Sequence, residues 1–265
     1  MQYLIDKFSP SYSALNSARS ALSMLLLLPD GTKFGSNTLV SDFMKGAYRL
    51  NPPKPRYCRF WDPTLVLNFL KKWSPARKID LKQLSMKTLM LILLTTACRI
   101  DTVSKLSLDR LEITSTRYTF ELAGEFKQSR PGYKDPLIVL RSYPADRRLC
   151  IFTYMTEYLK RTTPSRGDVR TVFLTYQKPV HAPSKDTLSR WAKTVLQDAG
   201  VDTKRFTSHS TRGASASAAE RGGATLDEVL MTAGWSKDST FAKYYRKPFL
   251  KEATFDKAVL RATKE

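Results

Sequence analysis

His209-Ser210-Thr211-Arg212, Gly234-Trp235-Ser236 and Ser239-Thr240-Phe241-Ala242-Lys243-Tyr244-Tyr245 follow one another near the C-terminal end of a 265-residue chain. His209 and Arg212 are three apart, so on a helix they share one face. The run from Gly213 to Ala219 holds only glycine, alanine and serine, which suits a closely packed helix there. Both polar groups then reach one phosphate. A phenol attacks phosphorus only where neighbouring cations and proton acceptors lower the cost of ionising it, because its unperturbed pKa is about 10. Arg212 and Lys243 supply cations beside two tyrosines. The row as a whole suits breaking a phosphodiester without metal.

Composition points the same way. Lys and Arg outnumber Asp and Glu by 44 to 24, a net charge of +20, which favours a polyanionic partner, nucleic acid ahead of an anionic membrane. The dense apolar stretches, Met24 to Leu28 and Leu89 to Leu94, fall far short of the roughly 20 residues of a membrane-crossing helix. The first seven residues lack the basic start, long apolar stretch and cleavage site of a secretion signal, so a reducing compartment is expected. Cys58, Cys98 and Cys150 are isolated in sequence and the chain has two histidines, which supports neither a disulfide framework nor a zinc site. All three cysteines are expected in the core.

Periodicity and turn residues set the organisation. Tyr12 to Leu28 and Asn37 to Leu50 read as helices joined by a turn at Pro29-Asp30-Gly31. Asn51-Pro52-Pro53-Lys54-Pro55-Arg56 cannot continue a helix, so the domain boundary is expected there: residues 1–54 a helical region with its proline-rich linker, residues 55–265 the main domain. Asp62-Pro63 starts a helix through Trp73, and Ser85 to Ala97 reads as a buried helix with Arg99 at its end. Arg110 to Thr114, Arg117 to Leu122 and Pro136 to Arg141 are short β-type runs, which leaves Ala123 to Asp135, with Lys127, as the loop between the second and third. Helices are expected around Arg148 to Lys160 and Asp186 to Gln197, then one carrying His209 and ending at Gly222-Gly223, then one opened by the capping box Thr225-Leu226-Asp227-Glu228. The fold class expected is mainly α with a small antiparallel sheet, α+β.

Arg99, Lys127, His209-x-x-Arg212, Gly234-Trp235 and a following tyrosine, in this order, make the chain resemble the tyrosine recombinase family, relatives of phage integrases. The resemblance runs from about Asp62 to Tyr245. Within the family it is most similar to recombinases of eukaryotic mobile elements of the DIRS, Ngaro and Crypton kinds, through Pro52-Pro53-Lys54-Pro55-Arg56-Tyr57, Lys127-Gln128-Ser129-Arg130-Pro131-Gly132, His209-Ser210-Thr211-Arg212 and Ala233-Gly234-Trp235-Ser236.

The resemblance implies a tyrosine recombinase catalytic fold over residues 55–265, preceded by a helical, partial DNA-clamping region. It implies that Arg99 and Arg212 clamp the non-bridging oxygens of the scissile phosphate, that Lys127 protonates the departing 5′ oxygen, that His209 assists proton movement at the nucleophile, and that Trp235 packs the site while its indole N–H donates to the phosphate. The tyrosine becomes a 3′-phosphotyrosine ester, so cleavage and rejoining need neither ATP, metal nor other cofactor. Spacing from Trp235 in bacterial members points to Tyr244 as nucleophile, whereas the mobile-element pattern points to Tyr245, the favoured assignment. The acidic residue that bacterial and phage members carry three positions after the first arginine is Thr102 here, with Asp101 one place early. The partners expected are double-stranded DNA and further copies of the chain, as a tetramer on paired sites, in the nucleus or in the cytoplasm before nuclear entry. Phe255, Val259 and Leu260 recur at helical spacing after Pro248 as one apolar stripe, which either packs on its own domain or, as the resemblance implies, docks on a neighbouring subunit. The alternatives are a domesticated DNA-binding protein without catalysis and a DNA-relaxing enzyme of the type IB topoisomerase kind.

Overall fold

The computed structural model describes residues 11–53, 56–122, 137–235, 242 and 247. The backbone divides into two compact units, Met1–Arg56 and Tyr57–Glu265.

In the first unit, α1 (Tyr12–Leu25) and α2 (Thr38–Leu50) pack around Leu15, Met44 and Ala47. Each starts on a side-chain cap: the Ser11 hydroxyl accepts from the Ala14 amide and the Asn37 carbonyl oxygen from the Leu39 amide. Helix α1 stops at Leu25, short of the Leu28 expected from its leucine run. Leu26 turns extended, Leu27 bridges Lys33, and the Asp30 carboxylate holds the amide and hydroxyl of Thr32 across the turn, so this stretch of backbone bonds to itself as a narrow loop.

The second unit opens with α3 (Pro63–Lys72), whose start is the one read from sequence: Asp62 accepts from the Thr64 amide, and Pro63 fills the first turn. Next comes α4 (Leu81–Thr96), capped by Asp80 and buried at every position from Leu84 to Leu93, as befits a helix that is apolar nearly all round. It is the axis of the domain. One charge lies inside it. The Lys87 ammonium donates to the Leu70 and Trp73 carbonyls at 2.6 and 2.7 Å and stands 3.8 Å from the Tyr154 ring centroid, satisfying the end of α3. Burial pulls its pKa from 10.5 down to about 7.

After α5 (Ile100–Ser104) come three antiparallel strands in the order β1 (Leu111–Ile113), β2 (Arg117–Glu121), β3 (Leu137–Arg141), with Phe120 opposite Leu111 on one side and Ile138 on the other. Tyr118, Phe120, Ile138 and Leu140 are buried. The Tyr118 ring lies 4.9 Å from that of Phe152 on α6 (Ile151–Thr162), and its hydroxyl bonds Thr156 at 2.8 Å. Helices α7 (Lys185–Asp198), α8 (Ser210–Arg221) and α9 (Leu226–Ala233) follow among the described residues, α9 with the capping box between Thr225 and Glu228.

Cys98 and Cys150 are buried, but Cys58 is exposed, against expectation. It alternates with Tyr57 and Phe60 in an irregular stretch that turns those two rings inward and Cys58 out. Among the described residues no helix is long and apolar enough to cross a membrane. Residues 123–136, which include Lys127, and the tail from Pro248 lie outside the described residues.

Candidate active site

Arg212 is the centre of the site. Although charged, it is 2% exposed. It sits on α8, whose residues from Ser210 to Ser217 are all buried, and small side chains let neighbouring helices approach on both sides. Its Nη1 donates to the Ala97 carbonyl at 2.8 Å and its Nη2 to the Ala233 carbonyl at 2.6 Å. One oxygen belongs to the residue that caps the C-terminal end of α4 and the other to the last residue of α9, so one guanidinium sits at the negative ends of two helices. The Trp235 ring, 8% exposed, covers it at 4.4 Å from Cζ to centroid.

The two carbonyls are aimed by unusual backbone. Ala97 adopts the left-handed conformation with φ 47, which costs a residue with a Cβ about 1 kcal/mol. Gly234 does the same at the end of α9 with φ 64, free of that cost, and returns the chain so that the Trp235 amide bonds the Leu230 carbonyl. The strained turn at Ala97 leads directly into Arg99. That residue is half-buried and caps α5, its carbonyl accepting from the Val103 amide at 3.0 Å. Cys98 lies between: burial pushes its thiol up to about 11, while the Arg212 and Arg99 charges both pull against it. The two arginines therefore bear on a single corner of the domain.

Asp101 belongs to a different set. Burial opposes its ionisation, but Lys105 at 3.1 Å and Lys185 at 3.2 Å hold the carboxyl below its ordinary range. It ties α5 to the start of α7.

His209 is exposed and stands one residue before α8, in helical backbone conformation at the cap position. Sequence reasoning put it inside the helix. Here the helix proper begins at Ser210, because the turn before it is fixed by side chains. The Tyr57 hydroxyl accepts from the Thr207 amide at 3.4 Å and meets the Thr207 hydroxyl at 3.2 Å, and the Ser208 hydroxyl meets that of Ser189 on α7 at 2.6 Å. The Trp61 indole donates to the Ser210 hydroxyl at 2.9 Å, which donates on to the Thr207 carbonyl at 2.7 Å. Phe60 lies against Gly213: a Cβ built there would meet its ring at 2.1 Å. Sequence reasoning used Tyr57 only as part of a resemblance and gave Phe60 and Trp61 no role. The aromatic spacing 57, 60, 61 is a signal of inward-facing rings, but no local pattern reveals a partner 149 residues away.

Lys127 and the two tyrosine candidates, Tyr244 and Tyr245, lie outside the described residues. Glu121 pairs with Leu137, so Lys127 belongs to the connection between β2 and β3. A groove of about 640 Å³ is lined by Pro75, Arg77, Arg147 and Tyr154, and none of Arg99, His209, Arg212 and Trp235 lines it. Among the described residues no group of three His, Cys, Asp or Glu stands ready to hold a metal.

A search among curated proteins gives no match. Among solved structures, the chain resembles XerH site-specific recombinase bound to difH substrate, with a TM-score of 0.58 and 16% identity over 94% of this chain and 63% of that one. It resembles XerA recombinase with a TM-score of 0.56 and 14% identity, over 98% of this chain and 88% of the other. The Tn1549 transposon integrase in complex with transposon right end DNA gives 0.59 and 14%, over 98% and 81%. The chain thus spans less than two thirds of the XerH chain. At these identities the likeness speaks to the fold, which is that of the tyrosine recombinase catalytic domain: mainly helical with a small antiparallel sheet. The model of the phage integrase family matches residues 67–251, more than half of the sequence and a stretch that includes Arg99, His209, Arg212 and Trp235, and the chain belongs to that family.

Proposed function

We propose that this protein is a site-specific recombinase of a mobile element, which cuts and rejoins double-stranded DNA through a phosphotyrosine intermediate. The observation that carries the reading is the buried Arg212, held by the Ala97 and Ala233 carbonyls under the Trp235 ring, with Arg99 on the same corner. A guanidinium fixed at this cost is oriented in advance, which is what stabilising charge on a phosphate in the transition state requires. Arg99 and Arg212 take the non-bridging oxygens. The bond from the oxygen of Tyr245, or of its neighbour Tyr244, to phosphorus forms as the bond to the 5′ oxygen breaks; His209 assists removal of the phenol proton, and Lys127 gives the 5′ oxygen its proton. The ester keeps the diester's free energy, and the reverse step, with another strand's 5′ hydroxyl, completes exchange without metal or ATP.

The net charge of +20 fits a partner made of phosphates, and XerH and the Tn1549 integrase are structural relatives seen with DNA. Residues 1–54 serve as part of a DNA-clamping region ahead of the catalytic domain at 55–265. The complete machine is a tetramer on paired sites, and its origin in an element of the DIRS, Ngaro or Crypton kind makes the nucleus its place of work. Incubation with a nicked DNA that on cleavage loses the short fragment bearing the freed 5′ hydroxyl tests the reading. A protein–DNA adduct that survives SDS and forms equally in EDTA is expected, and Arg99→Ala retains DNA binding but makes no adduct. Equal binding and no adduct with the unmodified chain favours the non-catalytic DNA-binding alternative. An adduct with relaxation of plasmids but no exchange between two sites favours the relaxing enzyme.

A further inference from the structure

The residues that open the catalytic unit reach across the domain to the turn that carries His209. Trp61 is 1% exposed, and its indole N–H has the Ser210 hydroxyl as partner at 2.9 Å. Ser210 is the first residue of α8 and the one after His209. Its hydroxyl passes the bond on to the Thr207 carbonyl, closing the turn Thr207–Ser210 from inside. The Tyr57 hydroxyl takes the same turn at Thr207, and Ser189 takes it at Ser208. Both neighbours of His209 in sequence are therefore tethered, while its own side chain is exposed. An imidazole that must meet a proton within about 3 Å in a reacting complex needs a backbone that does not wander.

We infer that Trp61, acting through Ser210, is a positioning residue for His209. The inference rests on the reading of His209 as the proton-handling group of DNA cleavage. Trp61 does not touch the substrate. Its N–H sets the direction of the Ser210 hydroxyl, the hydroxyl sets the turn, and the turn sets the imidazole. Phe60 on Gly213 and Tyr57 on Thr207 carry the packing, so the hydrogen bond is separable from the contact.

Trp61→Phe keeps a buried ring and removes the donor, and Ser210→Ala removes the acceptor from the other side. Single-turnover cleavage of the nicked DNA is expected to slow about tenfold in either variant, with the dissociation constant for DNA changed by less than about twofold. In a His209→Ala background the same Trp61→Phe change is expected to cost nothing further, because what it positions is gone. The chain has two histidines, so the imidazole signals of His209 and His181 are easily separated by NMR. In Trp61→Phe the His209 ring signals move and those of His181 stay. An unmoved His209 signal, or the same loss of rate with and without His209, overturns the inference and leaves Trp61 as packing. If the unmodified chain forms no adduct at all, the proposed reaction fails, while the imidazole signals still decide whether Trp61 holds His209.

Discussion

Gly213→Ala adds one methyl group where the domain has no room for it. The new Cβ stands 2.1 Å from Cζ of Phe60 and 2.6 Å from both Cε atoms. Carbon atoms in contact sit about 3.5 Å apart, so ring or helix must retreat by roughly 1.4 Å. Neither retreats easily: Phe60 is 1% exposed, while α8 is held from the other side by Arg212 on the Ala97 and Ala233 carbonyls and by the Ser215 hydroxyl on that of Leu94. Overpacking of this degree costs about 3 kcal/mol, and the gain in helix propensity from glycine to alanine returns about 1, so the net loss is about 2 kcal/mol. With a urea slope of about 2 kcal/mol per molar the unfolding midpoint drops by roughly 1 M. The same experiment on Gly213→Ala combined with Phe60→Leu isolates the cause. The smaller side chain vacates the space, so the double variant is expected to be more stable than the sum of the single costs allows. An unchanged midpoint for Gly213→Ala, or costs that simply add, refutes the close approach of Phe60 to α8.

Arg212→Lys keeps the charge but gives up the planar fork that spans two carbonyls, so it is expected to lose about 2 kcal/mol in urea unfolding and adduct formation by at least about a hundredfold, with DNA retained on a filter. Lys87→Met tests the buried ammonium. Its pKa is about 7 folded against 10.5 unfolded, so between those values the unfolded chain binds the extra proton and the group's contribution to stability rises with pH. Unfolding at pH 7 and pH 9 is expected to show a smaller gain toward pH 9 in Lys87→Met than in the parent, and an identical gain contradicts a depressed Lys87.

Local signals carried most of the fold. Asp62-Pro63, the Thr225 and Glu228 pair, and Gly222 act through neighbours a few residues away, and the helices they bound lie where those signals put them. The short β-type runs Arg110 to Thr114, Arg117 to Leu122 and Pro136 to Arg141 contain the three strands in the same way. Arg212 stood out in the sequence, but its setting did not: the Ala97 carbonyl is 115 residues distant and exists as an acceptor because Ala97 takes a conformation that propensity argues against. The tether on His209 was hidden for the same reason, since Trp61 and Ser210 meet only once the domain is folded. Cys58 was misread because composition speaks of cysteines on average, whereas its exposure follows from which neighbours turn inward.

The central claim is that a tyrosine of this chain becomes joined to DNA. The chain incubated in EDTA with the nicked DNA, digested with nuclease and protease and analysed by mass spectrometry, is expected to give one peptide bearing a nucleotide on Tyr245, or on Tyr244. No nucleotide-bearing peptide, or a nucleotide on any other residue, contradicts the account.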